Sequence, residues 1–431
     1  MNNHEKILGA AAILFLAGCA TRSAAPTDAV VPGAVVVTSA APLAMTQEPV
    51  TLKTATGEIS GTLVLPAAGT PVPVVLIIAG SGPTDRNGNS PAIPGANNSL
   101  RMLAEGLAAR GIASVRYDKR GIAASRAAMT GEADLRFTHF IEDAAAWVKQ
   151  LREDQRFSTV TIVGHSEGSL IGMVAARGAG ADAYVSLEGT GRKAADILAE
   201  QLKPQLPPEL FAQTQAILDQ LSSGTIPNPP PTVLPMLFRP SVLPYLVSWF
   251  SYDPAVEIAK LEIPILVVQG TTDIQTSMED AKLLASANSD ARFVTIEGMN
   301  HILKEVSGDR VAQMPKYGDS TLAVVPKLMD EIAVFVKSIS KRAARDSWSG
   351  PDKIKHFFIS AFIESLAFSG LQATGAGRNT AFAGAIATTA AFALARELYD
   401  KRTKGIFSIP DLTWDAAGAG AAALILRSTQ H

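Results

Sequence analysis

Residues 160–168 read Val-Thr-Ile-Val-Gly-His-Ser-Glu-Gly, a β-branched apolar run leading directly into Gly164-x-Ser166-x-Gly168. Serine with glycine two residues to either side fits a sharp strand-to-helix turn, in which the hydroxyl projects above the sheet and no Cβ obstructs the bend. Such a hydroxyl attacks an acyl carbon when a base takes its proton and an acid orients that base. Both types follow downstream. The apolar run 264–269 ends in Gly270-Thr271-Thr272-Asp273, and the run 291–296 ends in Glu297-Gly298-Met299-Asn300-His301. Each sets a titratable group just past the C-terminal end of a strand, where open α/β sheets gather their ligand sites. The roles implied are Ser166 as nucleophile, His301 as general base and Asp273 as the acid that fixes the imidazole tautomer. Asp280, inside the following helix, is the reserve acid. A tetrahedral oxyanion needs two N–H donors. One is the amide of Glu167, after the nucleophile; the other comes from the loop after residues 73–79, with Ser81 the choice and Gly82 the reserve.

The elements that must position these residues are legible around them. Residues 50–54 and 58–65 alternate as two strands of an antiparallel edge. Residues 73–79, 112–117, 183–187 and 264–269 are short continuous apolar runs suited to strands buried on both faces. Amphipathic helices are predicted over 98–110, 138–151, 166–177, 277–287 and 321–337. Strand and helix alternate from residue 73 onward, which implies an α/β fold with a mostly parallel central sheet and helices on both faces. The alternation stops between residues 189 and 260. This stretch is too apolar for a linker and reads as a helical cap over the C-terminal edge of the sheet.

The loop 80–89, Gly-Ser-Gly-Pro-Thr-Asp-Arg-Asn-Gly-Asn, is no nucleotide site: it lacks the Gly-Lys-Ser/Thr of a P-loop, and Asp85 stands where a dinucleotide fingerprint needs its third glycine. Asp118 and Arg120 are expected to fix their loop by local hydrogen bonds, Asp85 and Arg86 to serve a structural ion pair, His165 to pack against the turn, and His139 to lie at the surface. The chain has 431 residues and a net charge of −2, which gives no electrostatic case for nucleic acid. One cysteine excludes both an internal disulfide and a thiolate metal cluster.

The stretch 47–341 resembles the α/β-hydrolase superfamily. Within it the chain is similar to the bacterial esterases marked by Gly-Ser-Gly-Pro-x-Asp-Arg after the third strand, present here at 80–86, with Tyr117-Asp118-Lys119-Arg120-Gly121 and Gly298-Met299-Asn300-His301 alongside. The resemblance implies an α/β-hydrolase fold with a cap at about 190–260. It also implies cleavage of carboxylic esters with short to medium acyl groups, and no cofactor. Peptidase or thioesterase chemistry on the same three residues is the alternative, and a non-catalytic envelope scaffold is a third.

Residues 1–18 carry Lys6, a short apolar run and Leu16-Ala17-Gly18 before Cys19, which resembles a bacterial lipoprotein signal with its lipobox. This implies cleavage before Cys19, lipidation there, a tether over 19–46 and a place in the bacterial envelope, outer membrane facing the periplasm. Residues 342–431 form a separate all-α module rich in Ala, Gly, Phe and Thr. It resembles the YfiM-like lipoprotein family through Asp352-Lys353-x-x-His356-Phe357, Glu397-Leu398-Tyr399-Asp400 and Ser408-x-x-Asp411-Leu412. Residues 379–395 carry no charge but fall short of about 20 strongly apolar positions, and their many Ala, Thr and Gly weaken insertion, so a membrane span is allowed without being compelled. A single histidine, His356, with scattered carboxylates does not make a metal site.

Overall fold

The computed structural model describes residues 45–345 apart from 68 and 70, then 351–404 and 407–428. Residues 1–44, including Cys19 and the lipoprotein signal, lie outside the described residues. The chain divides between Lys337 and Ser338 into two compact units.

The first unit opens with the antiparallel pair β1 (Met45–Thr54) and β2 (Gly57–Pro66), then β3 (Val72–Ile78). Next come α1 (Ser99–Ala108), β4 (Ala113–Tyr117), α2 (Phe137–Glu153), β5 (Phe157–His165), α3 (Glu167–Ala179) and β6 (Ala183–Leu187). Between β6 and the next strand lie α4 (Ala194–Leu202), α5 (Pro208–Ser222), α6 (Leu243–Phe250) and α7 (Pro254–Ile258). The unit continues with β7 (Ile265–Gly270), α8 (Met278–Ala287), β8 (Ala291–Ile296), α9 (Arg310–Gln313) and α10 (Pro326–Arg345), the last crossing the division between units.

The eight strands form one sheet in the order β1-β2-β4-β3-β5-β6-β7-β8. Only the β1–β2 and β2–β4 pairs are antiparallel. This is the α/β-hydrolase fold. The buried strands owe their apolar continuity to cover on both sides: Val74, Leu76 and Ile78 of β3 join the core that includes Trp147 and Ile171, while the alternate residues Val75 and Ile77 are equally buried on the opposite face. Helices α4 to α6 carry a smaller apolar core of their own, with Leu198, Leu221, Phe238 and Phe250. They meet the main body where Trp249 stacks on Phe137 at 6.0 Å between ring centroids.

One helix differs from the sequence reading. The helix expected over 321–337 begins only at Pro326, a residue suited to a first helical turn, because Val324 is engaged in an extended bridge with Lys304.

The second unit contains α11 (Pro351–Ala373), α12 (Arg378–Lys404) and α13 (Ile409–Ser428). It buries a small apolar core of Phe368, Ala381, Phe382 and Ala385, and beside it a polar one. On α11, Lys353, His356, Ser360 and Glu364 are spaced on one face and buried, while Ile354, Phe358, Phe362 and Leu366 are 58–67% exposed. The interior is bonded: His356 Nδ1 lies 3.0 Å from Asp415 Oδ2, Ser360 donates to Asp415 Oδ1 at 2.6 Å, and Thr389 donates to Glu364 Oε2 at 2.8 Å. His356, Glu397 and Asp411 offer donor atoms within 4.8 Å of one another, and the cation beside them is Lys353, whose Nζ contacts Asp411.

Candidate active site

Strand β5 delivers Ser166 to a turn that only this sequence pattern can make. Ser166 has φ 56° and ψ −122°, a strained conformation for a residue with a side chain. The backbone crosses itself so closely that a Cβ on Gly164 would lie 2.2 Å from the Gly168 carbonyl oxygen, and one on Gly168 would lie 2.4 Å from that of Ile78. The glycines are therefore required by space. The Ser166 amide donates to Leu187 O at 3.0 Å, tying the turn to β6.

The loops after β7 and β8 bring Asp273 and His301 together. His301 Nδ1 is 2.7 Å from Asp273 Oδ2, with the two side chains 6% and 0% exposed. Asp273 is further held by the amides of Gln275 and Thr276 at 2.6 and 3.1 Å and by the Thr276 hydroxyl at 2.7 Å. Burial alone would raise its pKa. The neighbouring His301 and these hydrogen bonds outweigh burial and hold the carboxyl well below the usual carboxylate range. Helix α9 joins the two loops: Gln313 Nε2 donates to Thr272 O at 2.8 Å, and its Oε1 accepts from Asn300 at 3.3 Å. The fully buried Lys304 then pins the His301 loop, donating to the carbonyls of Asn97 and Asp319 at 2.7 and 2.6 Å.

Ser166, His301, Ser81 and Tyr317 line one cavity of about 80 Å³, walled elsewhere by small residues of the 80–99 loop. Among the described residues Ser166 Oγ has no direct hydrogen bond, so serine and histidine share the cavity without a hydrogen bond between them. The Ser81 amide likewise has no acceptor among the described residues, and Glu167 opens the first turn of α3. A Cβ at Gly80 would be 3.1 Å from Ser166 Cβ, so the loop runs against the nucleophilic turn.

The remaining singled-out residues find structural partners. Arg86 pairs with Asp118 at 2.6 Å, and Asp85 instead accepts loop amides from Asn87 and Asn89. Arg120 pairs with Asp143 at 2.6 Å. His139 is half-buried and accepts the Arg136 amide through Nδ1 at 3.3 Å. Asp280 pairs with Arg192 at 2.8 Å and closes the N-terminal capping box of α8, away from the imidazole. His165 is more than packing: its Nε2 donates to the carbonyl of His301 at 2.8 Å.

Three residues of the site escaped the sequence reading. Lys119 and Tyr245 both bond the Glu167 carboxylate. Glu188, fully buried just past β6, accepts the Gly270 amide through Oε1 at 2.9 Å, and its Oε2 has no hydrogen-bond partner among the described residues. Burial, then the Asp273 charge, push its carboxyl well above the ordinary range. The signal for Glu188 was available, since it too stands just past a buried strand.

Residues 96–186 match the serine aminopeptidase S33 family. That stretch contains the nucleophilic turn but neither Asp273 nor His301. The chain is 27% identical over 280 residues to esterase EstD of Thermotoga maritima, covering 64% of each, so it spans less than two thirds of that relative's length. Among solved structures, Est1E from Butyrivibrio proteoclasticus aligns at 16% identity over 67% of this chain and 99% of its own, with a TM-score of 0.44. The Pyrococcus furiosus esterase PF2001 aligns at 16% identity over 71% and 96%, also with a TM-score of 0.44. By its strand order and its strand-to-helix turn, the first unit of this chain has the α/β-hydrolase fold.

Proposed function

We propose that the first unit is a serine hydrolase that cleaves carboxylic esters with short to medium acyl groups. The observation that carries the reading is that His301, paired through Nδ1 with Asp273, lines the same cavity as a serine held at positive φ. With Nδ1 of His301 committed to Asp273, Nε2 is the nitrogen left to take the Ser166 proton as Oγ attacks the ester carbon. The amides of Ser81 and Glu167 stabilise the oxyanion. Collapse expels the alcohol, which takes the proton from His301, and the same base then activates water against the acyl-enzyme. The small cavity supports short acyl groups. A peptidase reading draws on the family match, but no carboxylate stands among the described residues lining the cavity, so an α-ammonium there would go unpaired. Turnover of p-nitrophenyl acetate and butyrate by the full chain, set against Ser166→Ala and against thioester and aminoacyl-amide panels, tests the choice.

For location, we propose lipidation at Cys19 and a bacterial envelope site, with α11 and α12 inserted in the membrane. The exposed apolar face of α11 supports insertion, as do spans of 22 and 25 residues at mean hydropathy 1.2. Apolar side chains outside and bonded polar groups inside suit a lipid solvent. Extraction of the chain from membranes by detergent, but not by carbonate, is the expected result, and release by carbonate from a Cys19→Ser variant contradicts insertion.

A further inference from the structure

Lys119 lies just past β4 and is only 1% exposed, yet it does not line the cavity. Its Nζ donates to two acceptors at 2.6 Å each: the carbonyl oxygen of Gly80 and Oε2 of Glu167. It also sits 5.0 Å from the centroid of the Phe140 ring. The other carboxylate oxygen of Glu167 accepts the hydroxyl of Tyr245 from α6. A buried lysine–carboxylate pair is expensive to desolvate and adds little stability beyond what apolar side chains of the same shape would give. Its value here lies in what it orients.

Each acceptor belongs to a residue that bears on an oxyanion donor. In a trans peptide the carbonyl and the following N–H point to opposite sides. Holding Gly80 O toward Lys119 therefore turns the Ser81 N–H the other way, toward the cavity that Ser81 lines and where it has no acceptor among the described residues. The second acceptor is the side chain of Glu167, whose own amide is the other donor. Clamped between Lys119 and Tyr245, that side chain fixes the first turn of α3.

We propose that Lys119 is the positioning residue of the oxyanion hole, one ammonium setting the direction of both N–H donors from behind. The inference rests on the reading of the first unit as a serine hydrolase. Without the ammonium the Gly80–Ser81 peptide loses the contact that sets its orientation, and the Glu167 carboxylate is left buried without its cation.

The test compares the full chain with Lys119→Met and with Lys119→Met/Glu167→Gln, the second removing the stranded charge so that a folded protein is obtained. Folding is checked by thermal melting. Two quantities are read: kcat and KM for p-nitrophenyl butyrate, and the inhibition constant of a boronic acid, whose tetrahedral adduct needs the oxyanion donors. Both variants are expected to lose about 10²-fold in kcat, with KM within about threefold and boronate affinity falling in parallel, the size seen when one oxyanion donor is lost. Lys119→Arg, which retains a cation, is expected to recover part of the loss. Folded variants with unchanged kcat and boronate affinity overturn the proposal, as does a loss of kcat with boronate affinity intact. A wild-type chain that fails to turn over any ester overturns the parent reading instead, and is recognised because Ser166→Ala then changes nothing.

Discussion

His165 donates from Nε2 to the backbone carbonyl of His301 at 2.8 Å, so the residue before the nucleophile braces the residue that would take its proton. The two rings stand 4.9 Å apart. Burial, reinforced by the proximity of His301, pulls the His165 pKa down from 6.5 to about 3. The contact needs a proton on Nε2, and burial keeps the ring neutral with that proton in place.

A stability slope follows from that depression. Between about pH 6.5 and 3 the unfolded chain binds a proton at His165 that the folded chain refuses, so stability falls as pH falls through this window. From pH 6.5 to about 4.5 the loss at this one site is about 2–3 kcal/mol. Denaturant unfolding of wild type and His165→Gln at several pH values checks it. The variant is expected to be less stable near neutrality and to show a shallower slope.

Asp273 and Asp280 separate by role. Asp273→Asn leaves the imidazole in the wrong tautomer, and kcat is expected to fall about 10³–10⁴-fold. Asp280→Asn breaks the Arg192 pair and the α8 capping box, costing about 1–2 kcal/mol of stability while leaving kcat within about twofold. Paired kinetics and melting curves distinguish the two.

Glu188 is expected to behave as a neutral acid. Its folded pKa is raised, so its contribution is present below the unfolded value near 4.5 and is lost as pH rises through the folded pKa. Glu188→Gln keeps an acceptor for the Gly270 amide and removes that titration. The variant is expected to retain most activity and to gain stability relative to wild type as pH increases, whereas Glu188→Ala, which leaves the Gly270 amide without its acceptor, is expected to lose stability.

Gly164 and Gly168 have no room for a methyl group: the obstructing atoms are backbone carbonyls, which cannot swing aside. Gly168→Ala is expected to cost about 3 kcal/mol or more, or to prevent folding, while Gly178→Ala in the same helix, where nothing lies within 4 Å, is expected to raise Tm slightly. Thermal melts of the two variants make the comparison.

How far the sequence spoke for the site depends on the kind of signal each residue left. The apolar runs and their terminating Gly, Asp and His residues mark strand ends, which is why Ser166, Asp273 and His301 could be picked out before any coordinates. The same rule applied to residues 183–187 reaches Glu188, whose neighbours carry no motif. Lys119 left no such trace. It reads as one charge in an Asp-Lys-Arg-Gly loop, and only tertiary packing turns its stem inward while Asp118 and Arg120 find other partners. The burial of the polar face of α11 was equally hidden, since helical spacing identifies two faces without saying which one meets the other helices.

The most direct measurement is peptide mapping by mass spectrometry after treating the full chain with a fluorophosphonate. One phosphonyl adduct on Ser166 is expected, lost in Ser166→Ala and strongly slowed in His301→Ala. Absence of label on the folded wild-type chain, or an adduct on a different residue that persists in Ser166→Ala, would contradict the assignment of Ser166 as nucleophile and of the unit as a serine hydrolase.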